Sequence, residues 1–267
     1  MTKVLQLACL GPIQLTVNNK PVAGLDSAKA QALLCYLAVD GRTHTRQSLS
    51  HLLWGDLPEA DARRNLRGVI MKLRQAIGDD YLLITHQTLA FNQQADYWLD
   101  VARLRETIQA IRLGETPDMT RLQKTADLYR GEFLEQLSVR QAPAFDEWVQ
   151  ARRLHHLELA LTVYDNLIAA CIAQADWPRG LEAARRALAL DPLRETTQRA
   201  AMQLLAFNGD RAAALNQYQQ FRQRLQAELG VGVSPETAAL AEQIRQGSGG
   251  AGEMGSRGDG EQGSRGA

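Results

Sequence analysis

The sequence predicts a mainly α fold with a small β component, on three observations. Short β-leaning runs, three helical stretches and a further pair of β runs follow one another within residues 1–95. From Asp96 the apolar pattern is helical throughout. Within that second part Asp176 and Asp210 head similar segments 34 residues apart. The first order is that of a winged helix-turn-helix, and the spacing is that of a tetratricopeptide-like all-α helical repeat. The expected organisation is a winged helix over 1–95, a helical-repeat domain over 96–246 and a disordered glycine-rich tail over 247–267.

The β component starts with VLQLACL and IQLTV, separated by Gly11 and Pro12, with PVAGL as a third strand after the turn NNK. Together they predict a small antiparallel sheet. Ser27 then stands at an N-cap position before Leu33, Leu34, Leu37 and Ala38, whose spacing is helical until Asp40 and Gly41 end it. A second helix runs from the cap Thr45 to Trp54, and Gly55 and Pro58 break it. A third ends at Gly78, and YLLITHQTLAF reads as a hairpin turning at His86 and Gln87.

In the second part, breaks fall at 114–117, Gly131, 142–143, 177–178, 191–192 and Gly209. Helix pairs of this length cannot bury their apolar faces alone, so neighbouring pairs stack. SPETAALAEQIR closes the array, with Ser234 as N-cap and Pro235 at the first helical position.

Composition excludes several classes. The chain is 45% hydrophobic and 22% charged, a folded-protein balance. No apolar run approaches the ~18 residues that span a bilayer, and the first residues lack a signal peptide's plan, so a cytoplasmic location is expected. Cys9, Cys35 and Cys171 are odd in number and set among aliphatic residues, which predicts buried thiols. Net charge is zero, but residues 1–95 hold 10 Lys and Arg against 7 acids. That local excess is basic enough to direct attention to the third helix.

RRNLRGVIMKLRQAIG, from Arg63, is basic and oily at once. At 100° per residue Ala62, Leu66, Val69, Leu73 and Ile77 form one buried stripe. Arg64, Gly68, Met71 and Gln75 point away from it, with Asn65, Arg67 and Lys72 on its shoulders and Arg63 and Arg74 nearer the boundary. Glu59 and Asp61 suit the first turn of the helix dipole, which leaves the five cations without acidic partners in this reading. An apolar back with long donors in front is what a helix in a DNA major groove requires. Arg46, after the Thr45 cap, would cross the DNA backbone, and the hairpin near His86 would serve as wing. An ordinary amphipathic helix kept soluble by its cations has the same pattern; the surrounding element order favours the DNA reading. Gly68 fits either a close backbone approach or drift at a tolerated surface position.

HLLWGDLPEADARRNLRGVIMKLRQAIG resembles the DNA-binding core of SARP-type bacterial transcriptional activators, with their OmpR-type winged helix. YRGEFLEQL, FDEWVQARR, ARRALALDPLRE and ELGVGVSPET are similar to successive signatures of the bacterial transcriptional activator domain that follows it. The resemblance implies a winged helix bound to direct repeats in promoter double-stranded DNA, as a homodimer on DNA, with a helical domain that contacts RNA polymerase. By position it assigns Asn65 and Arg67 to one conserved element of the DNA-reading helix and Lys72 and Arg74 to another. Arg64 and Met71 join them on geometry. The chain departs from the family at Gly68, where a polar residue is usual, and in a wing turn without glycine. No GxxxxGK[ST] stretch occurs, so no ATP-driven switching and no cofactor are expected.

Enzyme motifs are missing: there is no GxSxG, HExxH or paired CxxC, and no metal site is expected. His155 and His156 read as a solvated helix face, and Phe145 and Trp148 as core packing. Two other readings stay open. One is a tetratricopeptide-type scaffold whose winged helix binds a protein; the other is a sensor with an effector in the helical array.

Overall fold

A computed structural model describes residues 4–247. The expectation for the tail therefore lies, from residue 248 on, outside the described residues. By its contacts the chain forms two compact units, the first ending at Leu167 and the second starting at Ile168.

In the first unit β1 (Leu5–Ala8) pairs antiparallel with β2 (Gln14–Val17), which pairs with a short β3 (Lys20–Pro21). The fourth strand of this sheet was not expected. β7 (Tyr97–Leu99) lies parallel to β1, Leu5 opposite Tyr97 and Leu7 opposite Leu99. The expectation that everything beyond Asp96 is helical is thus corrected, and a sheet crosses the division drawn between 95 and 96. Three residues are too few for an alternation to register, and Leu99 runs straight into a helix.

α1 (Ala28–Asp40) is nearly all apolar and buries eight of its residues, so it forms the core of the winged helix. Ser27 stands at its N-cap, but its hydroxyl makes no capping bond; its carbonyl accepts from Ala30 and Gln31. β4 (His44–Thr45), β5 (Leu82–Ile84) and β6 (Thr88–Phe91) form the second sheet in the order β4-β6-β5. Between them come α2 (Arg46–Trp54) and α3 (Glu59–Ile77). α4 (Asp100–Arg112) and α5 (Met119–Ala126) follow, then an irregular stretch and α6 (Pro143–Ala173). That stretch returns to the first sheet through bridges from Leu10 to Phe133 and from Pro12 to Glu135.

α6 is, among the described residues, the one helix long and apolar enough by length and composition to cross a membrane. Half of its most apolar window is buried within the fold, as in the core helix of a globular unit, and such a helix alone is weak evidence of a span. It also corrects one expectation. His156 is fully buried, while its neighbour His155 is exposed: successive helical residues lie 100° apart, and one of the pair falls on the core stripe. Phe145 and Trp148 pack with ring centroids 5.6 Å apart, as core residues. All three cysteines are free and buried, and Cys9 and Cys35, distant in sequence, meet with sulfurs 3.7 Å apart.

The second unit stacks α7 (Trp177–Leu190), α8 (Glu195–Phe207), α9 (Arg211–Leu229) and α10 (Pro235–Gln246). The 34-residue repeat appears at the atomic level: Asp176 and Asp210 cap α7 and α9 with matching backbone angles, each accepting from the amide three residues on. Met202, Ala214, Tyr218, Ala241 and Ile244 form a core shared by α8, α9 and α10. Where α7 meets α8 the packing needs a glycine. A Cβ on Gly180 would lie 2.8 Å from the Leu204 side chain.

Candidate nucleic-acid interface

α3 has the amphipathic form its sequence predicts. Ala62, Leu66, Val69, Ile70, Leu73 and Ile77 are buried, and every residue of the outward set from Arg63 to Gln75 is exposed. Ile70 joins the stripe as its sixth member, beside Leu66 and Leu73.

The cations divide into two groups, which corrects the view that all five lack acidic partners. Arg63 pairs with Glu59 four residues earlier, and Arg64 with Asp61 at 2.6 Å. Arg74 makes two bonds to Asp79, at 2.5 and 3.2 Å, which hold the Asp79 carboxyl below the usual carboxylate range. The first-turn acids thus serve both the helix dipole and the arginines one turn on. Exposed pairs of this kind are weak and screened by solvent, so a phosphate can displace them. Among the described residues Arg67 and Lys72 have no hydrogen bond or ion pair, and neither does Asn65. Met71 stands 60% exposed on the outward face between them.

Arg46 is placed differently from the others. It is half-buried at the first position of α2, and its Nε donates to the Thr85 carbonyl at 3.0 Å. Its backbone N–H donates to the Gln87 carbonyl at 2.9 Å. β4 continues the join, His44 opposite Leu89 and Thr45 opposite Thr88. Thr45 meanwhile caps α2 by accepting from Ser48 at 3.1 Å. The start of α2 and the hairpin turn are therefore fixed to one another, and Arg46 is a strut between them as well as a cation.

The result is a cleft of about 510 Å³ lined by Thr45, Arg46, Gln47, Arg63, Leu66, Arg67, His86 and Gln87. Of the residues singled out in the sequence, it brings Arg46 and Arg67 together. Arg64, Asn65, Met71, Lys72 and Arg74 line the open face of α3 instead. Arg63 and Gln87 are wall residues that the site assignment from sequence leaves out. Arg63 was detectable, since it precedes Arg67 by four and shares its helix face; Gln87 stands in the turn of the hairpin read as the wing. Gly68 has no atom within 4 Å of where a Cβ would stand, so packing within the protein does not require a glycine there. Among the described residues no group of three or more His, Cys, Asp and Glu is placed to hold a metal ion.

A family model described as bacterial transcriptional activator domain matches residues 99–245. Over nearly the whole chain the sequence is similar to the regulatory protein AfsR of Streptomyces coelicolor, 28% identical over 256 residues and covering 94% of this chain but 25% of that protein. AfsR of Streptomyces griseus is 27% identical over 248 residues, with 90% and 24% covered. The chain thus spans about a quarter of the length of these curated relatives. Among solved structures it resembles Mycobacterium tuberculosis EmbR, itself in complex with a low-affinity phosphopeptide. The TM-score is 0.71 at 21% identity, with 91% of this chain and 65% of that chain covered, a likeness of fold.

Proposed function

The chain belongs to the bacterial transcriptional activator domain family, and from that premise we propose that it is a sequence-specific DNA-binding transcriptional regulator of the SARP type. The observation that carries the proposal is the state of α3. Its apolar stripe is buried, its outward face holds Asn65, Arg67, Met71 and Lys72 without internal partners, and the hairpin is fixed beside it through Arg46.

Each outward group has work it can do in a major groove. Arg67 can bond a guanine edge with two donors, Asn65 can read an adenine edge, and Met71 can contact a thymine methyl. Lys72, Arg64 and Arg74 supply charge for phosphates, the last two by exchanging a weak surface carboxylate for a stronger partner. Arg46, in the lining of the cleft, would face the DNA backbone beside the groove. Residues 1–95 are the reading segment in this proposal. Residues 96–246 hold two copies together on adjacent promoter direct repeats and recruit RNA polymerase, in the bacterial cytoplasm where the chromosome lies.

The test is enrichment of genomic DNA on the purified chain, then titration of the best fragment across a salt series. A recurrent repeated sequence with a steep salt dependence is expected. Arg67→Ala should weaken binding by ~1–3 kcal/mol and relax preference at one position. Lys72→Ala should weaken all sequences alike and flatten the slope of log K against log salt by about one. Weak, salt-insensitive binding without an enriched sequence would move the assignment to a protein-binding scaffold.

A further inference from the structure

The FDEWVQARR signature forms the N-terminal part of α6, and the DNA-reading face makes no use of it. Its residues meet the end of α1 inside the first compact unit. Trp148 is the centre of the contact: Tyr36 of α1 stands edge-on at 4.9 Å, Phe133 at 5.5 Å, and the Arg152 guanidinium lies 5.8 Å from its ring. Phe133 continues to His156 at 4.8 Å. Beside the rings, Asp40 in the last turn of α1 holds Arg42, His44 at 3.0 Å and Arg152 at 3.6 Å around a carboxylate that is 4% exposed. Arg105 of α4 donates to the Val39 carbonyl at 3.0 Å, and Arg153 of α6 to the Phe133 carbonyl at 3.1 Å. The last turn of α1 is gripped from two sides.

The grip is imperfect at its centre. Trp148 Nε1 and both ring nitrogens of His156 are buried with no hydrogen-bond partner from the protein. Native folds hold few such atoms, and each one left unpaired destabilises the closed arrangement. Leu in place of His156 would fill nearly the same space without that cost, whereas Phe in place of Trp148 removes the nitrogen together with part of the ring packing. The histidine cannot recover the loss by taking a proton, because burial, followed by the charges of Arg105, His155 and Arg152, pushes its pKa down to about 3.

We propose that this contact is a sprung clasp: the FDEWVQARR segment holds α1 against α6, and the unpaired nitrogens of Trp148 and His156 make it open reversibly, exposing them to water and releasing the end of α1. Because α1 packs on α3, opening lets the α3 face shift relative to α6. The inference stands apart from the DNA-binding proposal, since it concerns motion of the free protein.

Hydrogen exchange of the full chain at neutral pH, read by mass spectrometry, tests it. Replacing a nitrogen-bearing ring by an apolar side chain should close the clasp. His156→Leu should slow exchange about tenfold or more in residues 33–41 and 148–157, a size set by one relieved buried polar group. Trp148→Phe, which gives up ring packing along with its nitrogen, should slow it in the same segments by less. Exchange in α8 and α9 should stay as in the wild type, and the melting temperature should rise. Unchanged or faster exchange in those segments with a lower melting temperature would overturn the proposal, because it would mean that the nitrogens are bonded to fixed water and the contact is static. Failure of both variants to fold would overturn it equally, since a clasp tolerates loss of its spring.

Discussion

Asp100 shows at residue scale how a single side chain sets the behaviour of a joint. It is 1% exposed, and its carboxylate accepts from the amides of Cys9, Leu10 and Val101 at 2.7–2.8 Å. Burial outweighs those bonds and pushes the carboxyl up to about 6. A carboxyl raised above its unfolded value of about 3.9 is protonated in the fold while the unfolded chain has already lost the proton. Its contribution to stability is therefore complete below about pH 4 and is lost as pH rises through about 6, by up to ~3 kcal/mol. His156 works in the other sense: held near 3, it contributes stability above about pH 6.5 that is lost as pH falls. Urea midpoints of wild type and Asp100→Asn from pH 4 to 7 isolate the first effect, since His156 is common to both. Relative to the variant, the wild type should lose stability as pH rises from about 4 to about 6, against the rise that His156 gives to both, and parallel profiles would show that the carboxyl titrates normally.

At the scale of elements, α3 and the repeat helices give two further predictions. Gly68 lies in an exposed helix interior with free space around it. Gly68→Ala should stabilise the free protein by about 1 kcal/mol, seen as a rise in melting temperature. If the DNA backbone approaches α3 there, operator affinity should fall in the same variant; unchanged affinity would make the glycine a tolerated surface position. The aspartate caps of α7 and α9 should each be worth about 0.5–2 kcal/mol on mutation to alanine. Equal losses for Asp176→Ala and Asp210→Ala, measured by chemical denaturation, would show that the two repeats are equivalent energetically as well as in outline.

These elements also show what a sequence can disclose. The caps Thr45 and Ser234 and the stripe of α3 were legible because each depends on residues within one or two turns. The 34-residue spacing of Asp176 and Asp210 was legible too; that the two aspartates cap α7 and α9 is seen only in the structure. The partners of Arg63 and Arg64 were equally local, and were passed over because Glu59 and Asp61 already had a role at the dipole. By contrast β7, the burial of His156 and the strut from Arg46 to Thr85 depend on segments far apart in the chain. No local period reports such a meeting. The candidate site was accordingly readable as α3, Arg46 and a hairpin near His86, while the bond from Arg46 to Thr85 that fixes the hairpin to α2 was not.

For the molecule as a whole, the two signatures YRGEFLEQL and FDEWVQARR sit where the chain returns to its own beginning. The first bridges to Leu10 and Pro12, and the second meets α1. Family membership and compactness therefore coincide in an unexpected way: the segment matched from residue 99 shares its first compact unit with the winged helix. Below that unit's scale the winged helix is not sealed, because β1 lies between β2 and β7 and only one of those neighbours belongs to residues 1–95.

That parallel seam bears on the order of events during synthesis. Leu5 is synthesised well before the strand it lies against, which begins at Tyr97. Closing so long a loop is slow relative to forming local helices and hairpins. α2 and α3 can assemble early, while β1 waits with one edge bare until translation passes Leu99. A nascent chain stalled or cut before that point presents an unpaired edge to its neighbours, so a strand made early is among the last parts of its unit to become safe.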